Sequence, residues 1–141
     1  MCLAAGCTAG LTQPDRIVYG ARPSVIDTIF GTSIGTVTVA DSARVGAPLA
    51  VLVPTQGGGC VRQGKTRVEQ VSDLVVEVQP FDSVPVRMPS NVACTADLRV
   101  LAHAAEVRFG RAGTATLRVR GRSAEYQSGR EIVIERLVVV R

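Results

Sequence analysis

Hydrophobic and polar positions alternate most regularly between His103 and Gly121, HAAEVRFGRAGTATLRVRG. Ala105, Val107 and Phe109 alternate with Glu106 and Arg108, and Ala115, Leu117 and Val119 alternate with Thr114, Thr116, Arg118 and Arg120. A period of two marks a strand with one buried and one wet face. Two such runs around Gly110-Arg111-Ala112-Gly113 predict a β-hairpin. Its buried face would be Ala105, Val107, Phe109, Ala115, Leu117 and Val119. His103 shares that phase and is expected to point inward at the start of the strand.

The same alternation, less regular, runs through the rest of the chain. Thr36 to Val39 alternates, Asp41 to Gly46 turns, and Ala47 to Pro54 is a nearly continuous apolar run of the kind found in central strands. Gln56 to Gly59 then reads as a loop. Its glycines are not followed by the Gly-Lys-Ser/Thr and helix that a phosphate cradle needs. Thr66 to Val71 and Leu74 to Pro80 predict two further strands, with a turn at Phe81-Asp82-Ser83. Val84 to Ala93 contains Pro85 and Pro89, which confine it to an irregular or edge segment. Glu131 to Val140, EIVIERLVVV, predicts a long closing strand. Arg16 to Gly20 and Val25 to Phe30 are apolar runs whose pattern does not choose between strand and short helix.

Composition agrees with an all-β domain. The chain has 141 residues, a length that suits one domain with its own core. Valine and alanine dominate the apolar residues, and Gly 14 and Pro 7 provide for many turns. The net charge of +4 permits a polyanionic partner without requiring one. Aromatic residues make up only 4% of the chain, which argues against nucleic acid, because sheet-based binders stack bases on rings. No stretch reaches the length of a membrane-spanning helix.

Two resemblances add to this reading. Leu3-Ala4-Ala5-Gly6-Cys7 resembles the end of a bacterial lipoprotein signal peptide, in which small residues precede a cysteine that is lipidated. It departs from that pattern in placing Ala4, not leucine, three positions before the cysteine, and no basic and long apolar region precedes it. The resemblance implies a start upstream of Met1, a lipid on Cys7, a polar tether to residue 15, and a membrane-anchored position in the cell envelope. The second resemblance is to an immunoglobulin-like antiparallel β-sandwich of about seven strands, carried by strand spacing and by the closing strands. It covers residues 36 to 140 and departs from antibody domains in lacking a core tryptophan and a cysteine on the strand after Gly113. The expected organisation is a signal remnant and tether over 1–15 and a sandwich over 16–141, with an N-terminal extension over 16–34.

In an exported protein Cys60 and Cys94 are expected to form a disulfide. The alternatives are a zinc site of Cys60, Cys94 and His103, without the close ligand spacing typical of zinc, and a cysteine-hydrolase set of one of these cysteines with His103 and Asp97. Asp73, Glu77, Asp82 and Asp97 read as scattered surface acids. Arg108, Arg118, Arg120 and Arg122 are expected to form a basic stripe on the wet face of the hairpin. That stripe would be a docking face for an acidic protein or envelope polymer, or a solvated face that discourages edge pairing. No cofactor is expected. The functional expectation is a non-enzymatic cell-envelope lipoprotein domain with a binding or structural role. The second reading is a periplasmic protease-inhibitor-like module that presents loops, and the third is an enzyme of unknown type.

Overall fold

Valine, isoleucine and threonine fill the long strands because branched side chains pack well on a pleated surface. The structure, a computed structural model, describes residues 16–22, 28–29, 32–33, 36–85, 93–97, 99–123 and 130–141. Among these every regular element is a strand. The short ones are β1 (Arg16–Tyr19), β2 (Ala21–Arg22), β3 (Thr28–Ile29), β4 (Thr32–Ser33), β5 (Thr38–Val39) and β6 (Ser42–Ala43). The long ones are β7 (Leu49–Gly57), β8 (Arg62–Ser72), β9 (Val75–Val84), β10 (Arg99–Val107), β11 (Gly113–Ser123) and β12 (Glu131–Val140).

The strands pack as two layers of six and three strands, an open β-sandwich. The larger layer runs β6-β12-β11-β9-β8, with β1 on the far half of the β9 edge that β11 also uses. The smaller layer is β5-β7-β10. Ala21 of β2 pairs with both Arg122 of β11 and Gln56 of β7, so hydrogen bonding runs continuously from one layer to the other. The expected sandwich is therefore present, with about nine strands instead of seven. Most ladders are antiparallel, but β9 and β11 run parallel, as do β12 and β6, and β11 and β2.

The predicted inner face holds: Val107, Phe109, Ala115, Leu117 and Val119 are buried and Ala105 is half-buried. The predicted hairpin does not form. β10 pairs with β7, and β11 pairs with β12 and β9. A period of two fixes which side chains face inward but not which strand lies alongside. The segment after Val107 passes from the small sheet to the large one, carrying Phe109, 1% exposed, into the core between them. Gly46 N–H donates to the Phe109 carbonyl at 2.8 Å and Gly110 N–H to the Asp73 carbonyl at 2.9 Å, which fixes the crossing against two neighbouring turns. Parallel neighbours need a crossover connection. Between β9 and β11 that crossover is β10, a strand of the opposite layer. A second correction concerns β9, which does not turn at Phe81-Asp82-Ser83 but continues through Val84, held there by β1 and β8.

Candidate functional site

Three long strands each carry an apolar inner row that ends in a polar residue. On β7 the row is Val51, Val53, Thr55; on β9 it is Val76, Val78, Pro80, Asp82; on β10 it is Val107, Ala105, His103. The polar ends meet between the sheets, where Thr55, Asp82 and His103 are all fully buried at 0% exposure. His103 Nε2 lies 2.9 Å from Asp82 Oδ1, and Thr55 Oγ1 donates to Asp82 Oδ2 at 2.8 Å. The other ring nitrogen, His103 Nδ1, lies 2.9 Å from Thr66 Oγ1 on β8.

With Asp82 ionised and the ring neutral, these contacts assign the protons. An ionised carboxylate only accepts hydrogen bonds, so Nε2 carries the hydrogen that it shares with Asp82. In the neutral ring Nδ1 then presents a lone pair, and the Thr66 hydroxyl donates to it. The result is an ordered chain of hydroxyl, imidazole, carboxylate and hydroxyl that ties β8, β10, β9 and β7 together. Two backbone features make room for it. The β8–β9 register shifts between Gln63 and Thr66, a bulge that re-aims the strand. Gly20 lies where β9 and β11 diverge, with its N–H on the Pro80 carbonyl at 2.9 Å and its carbonyl accepting from Arg122 N–H at 3.1 Å. A Cβ on Gly20 would stand 2.7 Å from Asp82 Oδ2 and overlap the Thr55 methyl, so only glycine fits.

His103 faces inward as the alternation predicts. Asp82, expected on the surface, is wholly buried because β9 keeps its phase beyond Pro80. Thr55 and Thr66 are the site residues that sequence reasoning missed. The available signal was the inward phase of Val76, Val78 and Pro80, which leads directly to Asp82.

Near this end a disulfide joins Cys60 and Cys94, with their Cα atoms 5.2 Å apart. It fastens the turn after β7 to the segment before β10, and Gly59 N–H adds a hydrogen bond to the Thr95 carbonyl at 3.1 Å. The expected bridge is thus present. The sulfurs are bonded to each other and His103 to Asp82 and Thr66, so the structure does not gather the alternative zinc or cysteine-hydrolase sets. Asp97 is exposed in that segment. Hydrogen bonds from Thr95 and then Arg99 hold its carboxyl below the usual range.

The expected basic stripe is divided and neutralised. Arg108 lies on the crossing after β10, where it binds Glu106 at 2.7 Å and the Gly46 carbonyl at 2.9 Å. Because no hairpin forms, it is not opposite Arg118 or Arg120. Arg118 pairs with Glu135 across the β11–β12 ladder at 3.1 Å. Arg120 bridges Glu77 at 2.6 Å and Glu131. Arg122 follows on β11, half-buried beside Gly20. Glu77, also expected on the surface, has a side chain only 7% exposed beneath Arg120. Burial pushes its carboxyl up, but hydrogen bonds from Arg120 and Gln79 and the nearby arginine charges outweigh this and leave it below its ordinary value. The Arg120 guanidinium is correspondingly raised, first by its hydrogen bond to Glu77.

Cys7 and the 1–15 segment lie outside the described residues. Among the described residues no helix is long and apolar enough to cross a membrane. The chain matches no family model, no curated protein and no solved structure.

Proposed function

We propose that the chain is a cell-envelope module of a bacterium, exported, anchored through lipid on Cys7, and working by binding or structural support without catalytic turnover. The observation that carries this reading is the Cys60–Cys94 disulfide. Such bonds persist in oxidising, extracytoplasmic compartments and are reduced in most cytosols. It closes a long loop, so a chain-entropy argument assigns it about 4 kcal/mol of stabilisation, a contribution a cytosolic protein would forgo. The Leu3-Ala4-Ala5-Gly6-Cys7 pattern agrees with it. The arginines on the large sheet hold internal carboxylates, which favours a neutral or loop-directed partner over an anionic envelope polymer.

The test is expression from an upstream start in a bacterial host. The expected product partitions into detergent, carries a diacylglycerol mass on Cys7, and yields a Cys60–Cys94 peptide pair in a non-reducing map. A Cys7→Ala product that is still processed and membrane-bound would overturn the anchor. Free thiols at both positions in envelope-derived protein would overturn the compartment. A second reading, a loop-presenting inhibitor of envelope proteases, is favoured by the pairing of the half-buried Gly58–Cys60 turn with the exposed Cys94–Thr95 segment, which stiffens both at one end.

A further inference from the structure

We propose that Thr66 is an activated hydroxyl that accepts an acyl group from small carboxylic esters, with His103 as its base. Three observations carry this. The Thr66 hydroxyl lies 2.9 Å from His103 Nδ1, the ring nitrogen left with a lone pair. The opposite ring nitrogen is held at 2.9 Å by Asp82, which Thr55 fixes in turn at 2.8 Å, so the imidazole is oriented. Thr66 is half-buried while His103, Asp82 and Thr55 are wholly buried, so Thr66 is the member of the relay that reaches the surface. A nucleophile within hydrogen-bond reach of a base, itself oriented by a third group, is the geometry of nucleophilic activation, recognised by roles and not by sequence order. The register break at Gln63–Thr66 is the local device that turns the hydroxyl onto the ring.

In the step proposed, Thr66 Oγ1 attacks the ester carbonyl carbon and its proton passes to His103 Nδ1. The new C–O bond forms, the bond to the leaving group breaks, and the leaving group departs as its anion, as p-nitrophenolate does, while the proton stays on the imidazole beside the Asp82 carboxylate. The products are acyl-Thr66, the anionic leaving group, and an imidazolium paired with Asp82. Hydrolysis of that ester would require water at Nδ1, and His103 has no exposed surface. The acyl group therefore persists, and the event is stoichiometric. This reactivity goes beyond the anchoring and binding role proposed above and stands or falls separately from it.

The experiment uses the full chain with two probes, p-nitrophenyl acetate and an alkyl fluorophosphonate. In the second, Thr66 Oγ1 displaces fluoride from phosphorus. The expected result is a single adduct per chain, located on the Thr66 peptide and absent from urea-denatured protein. Thr66→Ala should take no label, and Thr66→Ser, which removes only the crowding methyl, should label at least as fast as the native chain. His103→Gln should label at least about 100-fold more slowly. If that variant does not fold, the Thr66→Ala and Thr66→Ser pair decides the question alone. The proposal is overturned by an unlabelled native chain, by label elsewhere, by equal labelling of Thr66→Ala, or by an inert but folded Thr66→Ser.

Discussion

Asp82→Ala is the most informative single perturbation of this fold. It would leave two buried donors without an acceptor, the Nε2–H of His103 and the hydroxyl of Thr55. Each orphaned buried donor costs about 1–3 kcal/mol. The small cavity adds to this, so the expected loss is about 3–5 kcal/mol, the range for breaking a buried pair from one side. His103→Leu approximates the imidazole volume but leaves the buried carboxylate without its ring donor, with a similar expected loss. The double variant leaves neither charge nor ring behind. Its cost should fall short of the sum of the singles by about 1.5–3 kcal/mol. Urea titrations of the four proteins measure this directly, with an unchanged m-value as the check that unfolding stays two-state. Additivity within about 0.5 kcal/mol would refute the claim that Asp82 and His103 act as one unit.

Three further outcomes are expected. Leu117→Ala should cost about 2–5 kcal/mol because Leu117 is fully buried between the sheets, and Arg118→Ala under about 0.5, since its ion pair with Glu135 is exposed; equal midpoint shifts in urea would show that the register of β11 is misread. Reducing Cys60–Cys94, or replacing both with serine, should lower stability by about 4 kcal/mol and raise proteolysis near Gly58; an unchanged melting temperature would contradict the bridge's role. Because the folded Glu77 carboxyl is held below its ordinary value, its contribution is complete above the usual carboxylate range and is lost as pH falls through the lower folded value. Glu77→Gln should therefore flatten the acid limb of a stability-versus-pH curve, and an unaltered limb would assign the acid loss to other carboxylates.

The sequence by itself determined the inward face of β10 and β11. Alternation put Ala115, Leu117, Val119 and His103 inward, and all of them are buried in the fold, because side-chain direction follows from backbone pleat alone. It also determined the all-β class, through valine-rich runs punctuated by glycine and proline, and the Cys60–Cys94 bridge among the cysteines of the sandwich. Tertiary structure decided what lies beside what. The five residues from Arg108 to Ala112 could close a hairpin or cross between layers. Phe109 settled the matter by packing into the core, and that made β9 and β11 parallel neighbours. Asp82 and Thr66 acquired their role in the same way. Each is an ordinary polar residue along the chain, and only the sandwich brings them to the two nitrogens of one histidine. Alternation records the preference of each position for water. Pairing depends on long-range packing free energy shared among strands far apart in sequence, and no local pattern carries that information.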